Sequence, residues 1–501
     1  MRKTKIWSAF GLGAVALGLA ACDTDLTDAN VNPNAPEDVT AGPLFVTATR
    51  NAVSRYLGNA NLRQFELLAQ HLAEVQYPET DAYTRLTGAS TETLFDNAYP
   101  TELRDFQVTI QKGKEAAAPA QWAPAMIMRT WEVGMITDVW GDVPYTDAFR
   151  GDSGTTQPKY DAQQDIYPML YAALDTAVNA LTSTAGTTLG ASDPIYAGNR
   201  ASWQRFGNSL RARHALRVVN VNRALADAQL RAAFNGPGGV ITTNAQMAQF
   251  VWPGNGVYNN PWWTNFFTNN RDDHRVSNRL MDLLQGMSDP RLPQYAQPTT
   301  TGGVYRGLPN ALTHAQASVQ INTTSKPGAR LYLAAQPSYL MQAAEVKFIQ
   351  AEAAERGLGG LTAAQAAGFY ADGIRLSMEL WGVSAADIAT YMARTDVAYK
   401  AGTDGLRQIA IQKWMALYTD GLQGWTEWRR TCQPSTIRPG PASQQNAVPR
   451  RLTYGPREET VNAASVNAAV ARQGADAFTT RMWWDTNPTV APTWVAGCGT
   501  K

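Results

Sequence analysis

Cysteine and histidine are scarce: three and four among 501 residues. So few cysteines exclude a small disulfide-stapled scaffold. The histidines, His71, His214, His274 and His314, lie far apart in sequence and do not suggest a metal centre. Charge is also sparse, with Asp, Glu, Lys and Arg making up 17 % and a formal net charge of +1. Three of the cations, Arg2, Lys3 and Lys5, fall in a segment expected to be removed, which leaves about −2 (+1 minus three). No basic face is implied, so nucleic acid is not an expected partner. H-E-x-x-H, C-x-x-C, G-x-S-x-G and Walker A motifs are all missing, and nothing in their place calls for a cofactor. What is abundant is apolar and aromatic: 44 % hydrophobic residues, with 15 Trp and 19 Tyr. That composition belongs to a globular chain able to bury a large core.

The first residues have their own logic. Arg2, Lys3 and Lys5 open the chain, and a run of apolar and small residues from Ile6 to Leu19 follows. At 14 residues it is short of the roughly 20 that span a bilayer. A basic start, a short apolar run and small residues before a cut define a secretory signal. The ending Leu19-Ala20-Ala21-Cys22 resembles a bacterial lipobox. The resemblance implies that residues 1–21 are a signal peptide and that Cys22 becomes the acylated first residue, carrying palmitate-type chains. Each buried methylene contributes about 0.8 kcal/mol, so several chains hold a protein firmly on a membrane. Residues 22–40, rich in Asp, Asn and Pro, read as an extended tether. Its D-x-D start fails as a calcium loop, because Asp28 stands where Gly is needed and Asn34 where Glu is needed.

Residues 41–501 read as one all-α body. Apolar residues recur at helical spacing over Leu44–Arg55, Leu62–Val75, Ala123–Val139, Ile166–Leu181, Trp203–Arg223, Tyr339–Arg356, Ala364–Trp381 and Leu406–Leu422. Short strands are expected only between Gln246 and Val251. Ala343, Ala344, Ala351 and Ala354 on one helix face the bulky Phe369, Tyr370, Ile374 and Met378 of the next. This large-against-small pairing resembles a tetratricopeptide hairpin. Long loops rich in Gly, Pro, Asn and aromatics separate the helices, chiefly Gly254–Asp273 and Tyr295–Pro337. Loops of that length in a compact body are usually functional or disordered.

Seven blocks, in order, carry a further likeness. They are Trp140–Asp152 (WGDVPYTDAFRGD) followed by Gln157–Tyr167, then Trp203–Val218, Asp289–Leu292, Ala344–Gly357, Gln412–Thr431, Pro449–Asn462 and Trp483–Asn487. Together with the lipobox they resemble the SusD/RagB nutrient-binding lipoproteins, in the SusD-like branch. The resemblance implies a tetratricopeptide-like helical fold on the cell outer membrane. It also implies a TonB-dependent transporter barrel (SusC-like) as partner and oligosaccharides or peptides as ligands, captured and passed to the barrel.

Within those blocks most residues read as structural. Asp138 and Asp142 have an alternative reading as a hydrolytic carboxylate pair. Glu345, Glu352, Asn208, Arg211, Arg213, Trp425, Trp428, Arg429 and Arg430 read as internal packing and pairing. Ligand contacts are expected instead in three loops, where aromatic plates sit among polar residues. The first holds Tyr77 and Tyr83 with Glu79, Asp81 and Arg85, in the place of the family's ligand-facing loop. The second holds Trp252, Tyr258, Trp262, Trp263 and Phe266 among asparagines, and the third Tyr305, Arg306 and Asn310. The rings are expected to stand open to water on one side of the molecule. Cys432 and Cys498 are a candidate disulfide fixing the C-terminal tail. Two rival functions remain open: a glycoside hydrolase on a helical scaffold, and a scaffold that docks proteins without binding small ligands.

Overall fold

The computed structural model describes residues 39–84, 86–486 and 498–500. Cys22 and the signal and tether segments through residue 38 lie outside the described residues. The compact body begins at Ala41.

Long helices dominate the body. In chain order they are α1 (Ala41–Ser54), α2 (Arg104–Glu115), α3 (Pro119–Trp140), α4 (Gln163–Ala180), α5 (Arg200–Arg217), α6 (Arg223–Asn235), α7 (Ala343–Glu355), α8 (Ala363–Leu380), α9 (Thr403–Ala416), α10 (Gly421–Thr431) and α11 (Ala463–Gln473). Sequence neighbours pack as pairs: α2 on α3, α3 on α4, α4 on α5, α5 on α6 and α7 on α8. Their ends carry clear signals. Pro119 opens α3 at its first position, where a missing N–H costs nothing. Gly141, at φ +88°, closes it. Thr362 and Gln365 form a reciprocal capping box on α8.

Small residues set how closely the pairs approach. A Cβ on Gly134 of α3 would lie 2.4 Å from the His214 ring of α5. A Cβ on Gly373 of α8 would lie 2.7 Å from the Phe348 ring of α7. In the α7–α8 hairpin the bulky partner at this contact comes from the first helix and the small one from the second.

The core is also ionic. Arg430 is buried between Glu352 and Glu427, and Lys413 donates to Glu427 at 2.9 Å. Arg213 grips Glu345 with two N–H groups, at 2.7 and 2.5 Å. Asp138 accepts from the Tyr167 hydroxyl at 2.5 Å and pairs with Arg217 at 3.2 Å. Buried charges of this kind persist only when paired and hydrogen-bonded. Cys432 and Cys498 form a disulfide, with their Cα atoms 5.8 Å apart.

Four expected helices have different limits. The stretch Leu62–Val75 is not one helix. It makes a wide turn at Asn61–Phe65, a short helix at Glu66–Leu68 and then strand β1 (Leu72–Glu74). All three strand residues are buried, so apolar spacing did not separate the two states. Tyr339–Arg356 begins instead as strand β4 (Ser338–Met341), which pairs antiparallel with β2 (Ala248–Phe250), and becomes helical from Ala343. The strand expected between Gln246 and Val251 is this β2. Trp203–Arg223 stops at Arg217, and Asn222 caps the separate α6 by accepting from the Leu225 N–H. Leu406–Leu422 stops at Ala416, and Asp420 caps α10. Both breaks carried cap residues that outweigh apolar periodicity.

Candidate functional site

The three aromatic loops are far apart in sequence, yet one small sheet ties them together. Strand β1 pairs antiparallel with β3 (His274–Val276), placing Leu72 opposite Val276 and Glu74 opposite His274. The pairing continues one step, with the Val75 N–H donating to the Asp273 carbonyl at 2.7 Å. The first loop therefore begins where the second ends. The third joins at Ser277–Leu308, a parallel bridge in which Leu308 N–H donates to Val276 at 2.9 Å.

Asn310 locks the junction. Its amide donates to the Leu72 carbonyl at 2.8 Å and to Asp81 at 2.7 Å, and its oxygen accepts from the Ser277 hydroxyl at 2.5 Å. One buried side chain thus holds all three segments. Asp81 is fully buried and also accepts from the Glu74 N–H at 3.3 Å. Burial pushes its carboxyl up to about 7 despite the hydrogen bond from Asn310. Burial likewise raises Glu74, with Asp81 and Asp273 adding to the effect, while burial and nearby arginines lower His274 to about 3.

The ten expected contact residues divide into two groups. Tyr83, Trp252, Trp262, Phe266 and Asn310 are buried, which corrects the expectation that these rings stand in water. Each has a structural partner. The Tyr83 hydroxyl accepts from Gln70, Trp252 donates to Ser338, and Trp262 donates to the Gly58 carbonyl. Phe266 stacks on Tyr332 with centroids 4.2 Å apart. The physical reason is amphipathic anchoring: a large ring with one polar atom stabilises a loop when that atom finds a backbone or hydroxyl partner inside. These residues shape the loops from beneath.

Tyr77, Tyr258, Trp263, Tyr305 and Arg306 keep exposed surface. Tyr77 is 42 % and Tyr258 44 % exposed. Tyr77 adopts φ +58° and Tyr83 φ +63°. Such φ values are uncommon for bulky residues and cost about 1–3 kcal/mol each unless the surroundings impose them. Arg271 fixes the Tyr77 ring. It lies 4.4 Å over the Tyr77 ring and is itself held by Asp273 at 2.6 Å. Tyr258 is set apart from the other rings of its loop by Arg50 of α1, 4.7 Å over its face. Phe267 was not among the expected residues, although it is 55 % exposed and lies 5.4 Å from Trp263. The sequence offered no way to choose between adjacent Phe266 and Phe267. The wide turn at Thr264–Thr268 sends one ring inward and the other out. Arg85 of the first loop lies outside the described residues.

Asp138 and Asp142 do not meet as a hydrolytic pair facing solvent. Asp138 is spent on Tyr167 and Arg217, and Asp142 accepts from the Gln163 N–H at 2.9 Å and from Arg472 at 3.0 Å. No helix among the described residues is long and apolar enough to cross a membrane.

A family model for SusD-like proteins, described as starch-binding and associating with the outer membrane, matches residues 33–455. The chain belongs to the SusD-like family. No curated protein matches it. Solved SusD-like structures do. One described as a chitin-binding protein is 28 % identical, with a TM-score of 0.78, over 89 % of this chain and 100 % of its own. A chitin-binding SusD homologue from Flavobacterium johnsoniae is 25 % identical, with a TM-score of 0.77, over 89 % and 99 %. A SusD homologue from Bacteroides uniformis is 24 % identical, with a TM-score of 0.79, over 90 % and 100 %. The helical SusD-like fold expected from the sequence is the fold observed.

Proposed function

We propose that this SusD-like protein is a surface lipoprotein that captures oligosaccharide and delivers it to a TonB-dependent transporter. The observation carrying the reading is the three-loop junction around Asn310. It holds Tyr77, Trp263, Tyr305 and Arg306 on loops fixed to one sheet, with Arg271 lying over the Tyr77 ring. A sugar ring offers an apolar C–H face to such plates, and Arg306 supplies donors for hydroxyls. The chitin-binding relatives at 28 % and 25 % identity favour N-acetylglucosamine oligomers as the first ligands to try. Anchoring through an acylated Cys22 and partnership with a SusC-like barrel belong to the same reading, supported by the lipobox-like ending at Cys22 and by membership of the family.

The test is calorimetric titration of the mature chain with N-acetylglucosamine hexamer, beside maltohexaose and a peptide panel. Tyr77→Ala should weaken the hexamer by about tenfold, as expected for losing one stacked ring worth about 1–1.5 kcal/mol. Metabolic labelling with palmitate should mark the wild type and not Cys22→Ser. A barrel protein should co-purify from outer membranes. Turnover of the hexamer would instead favour the hydrolase, a reading the structural commitments of Asp138 and Asp142 disfavour.

A further inference from the structure

Away from the three loops, α2, α3 and the turn after α3 enclose two connected concavities. The inner one, of about 290 Å³, is lined by Tyr99, Gln107, Arg129, Tyr145, Phe149 and Arg150, among others. The outer one, of about 550 Å³, shares Tyr99, Gln107 and Phe149 and extends past Gln111 and Thr155.

Arg129 is the unusual member. Its guanidinium is partly buried on α3 and lines the inner cavity. Its partners are the Gln107 side-chain oxygen and the Tyr145 hydroxyl, both neutral. No carboxylate among the described residues lines the inner cavity, whereas Asp96 and Glu458 line the outer one. Asp147 pairs with Arg150, Asp161 accepts from Thr146 and the Tyr145 N–H, and Glu102 pairs with Arg55. Glu132, on the same helix, is coupled to Glu102 and Arg55 and not to Arg129. Arg213, Arg291 and Arg430 are buried against carboxylates, whereas buried Arg429 is held by the Arg450 and Asp138 carbonyls and by the Trp425 and Trp484 rings. A guanidinium left on neutral partners in low dielectric is destabilising, and burial lowers its proton affinity accordingly.

A second observation points the same way. Phe149 adopts φ +67°, a left-handed conformation rare for an aromatic residue, and its ring stands in the wall of both cavities. The Tyr99 ring lies 6.3 Å from it at 34°, and the Tyr99 hydroxyl is fixed by the Pro144 carbonyl at 2.9 Å. Backbone strain that presents a ring to a cavity is characteristic of binding sites.

We propose that this groove is a second ligand site, for a uronate-bearing oligosaccharide whose carboxylate is received by Arg129 and whose ring lies against Tyr99 and Phe149. The planar guanidinium fork suits a carboxylate. Gln107, Gln111 and Thr155 along the groove suit the hydroxyls of neighbouring sugar units, which favours an acidic glycan over a peptide terminus. The site is independent of the loops around Asn310.

The experiment uses the full mature chain and calorimetry with galacturonic acid trimer, its methyl ester, and a short peptide with a free C-terminus. The acid should bind, and the ester should bind at least tenfold more weakly. Arg129→Met should lose at least tenfold for the acid while its melting temperature holds or rises. Phe149→Gly, which relieves the left-handed strain, should also weaken the acid without loss of stability. Tyr77→Ala should leave acid binding unchanged, which separates this site from the loop face. Equal binding of acid and ester, an unaffected Arg129→Met, no binding of the acid at millimolar concentration, or binding of the peptide alone would each overturn the assignment.

Discussion

Replacing Asn310 with alanine is the sharpest test of how the loops are held. The substitution removes three buried hydrogen bonds, to the Leu72 carbonyl, to Asp81 and from Ser277. Each abandoned buried partner costs about 1–3 kcal/mol. Partial relief comes from Asp81, whose carboxyl titrates near 7 and is readily protonated. A net loss of about 3–6 kcal/mol follows. Unfolding entropy near 2.1 cal/mol/K per residue, over a body spanning Ala41–Lys501, gives about 1 kcal/mol per degree. The melting temperature should therefore fall by only about 3–6 °C, because the loss is local to one corner of a large body. Hydrogen exchange should show it more clearly: the amides of Val75, Val276 and Leu308, which cross between the segments, should lose protection while α7 and α8 do not. Affinity for the N-acetylglucosamine hexamer should fall at least tenfold, since Tyr77 and Tyr305 lose their fixed relation. A melting shift under 1 °C, with exchange and affinity unchanged, would refute the idea that Asn310 clamps the three loops.

Stability should fall as pH rises from 6.5 to 8. Asp81 and Asp420 are both raised to about 7 by burial, so the folded state holds protons that the unfolded chain has released. Each contributes a loss of roughly 0.8 kcal/mol over that window, opposed by about 0.4 kcal/mol from each of the buried His214 and His274, which are lowered in the fold while the unfolded imidazoles lose their protons, so the net loss is about 0.8 kcal/mol; urea midpoints that rise over this range would contradict the sign. Cys432→Ser opens a loop with a sequence separation of 66 residues and should cost about 4 kcal/mol on the chain-entropy model, read as a lowered urea midpoint equal to that of reduced wild type. Arg213→Leu strands the buried Glu345 and should cost about 3–5 kcal/mol, whereas the double change with Glu345→Leu should recover most of it; a double variant as unstable as the single one would show that packing, and not charge, is at stake.

Much of the helical frame could be read from residue spacing. Ala123–Val139, Ile166–Leu181 and Ala364–Trp381 fall within a few residues of α3, α4 and α8, because a 3.6-residue period of apolar groups has one compact solution. The errors share a cause. Where a strand is buried on both faces, as at Leu72–Glu74 and Ser338–Met341, its apolar run is indistinguishable from a helix turn, and only its partner strand decides. The helices α2, α6, α10 and α11 escaped notice altogether, although Asn222 and Asp420 stood as cap signals for two of them.

Residue spacing, composition and motif were enough for the class of protein: a helical SusD-like body, with aromatic loops between its helices and ordered blocks that mark the family. Those properties are local or additive, set by spacing, composition and motif. The tertiary structure alone decided which rings face water. Trp262 and Trp263, or Phe266 and Phe267, are chemically equivalent neighbours, and only long-range partners such as Gly58 and Tyr332 draw one of each pair inside. It alone also brought Leu72, Asp81, Ser277 and Asn310 to one point, and left Arg129 at an inner cavity that no carboxylate among the described residues lines. Burial depends on the sum of contacts from distant segments, and no window of sequence contains that sum.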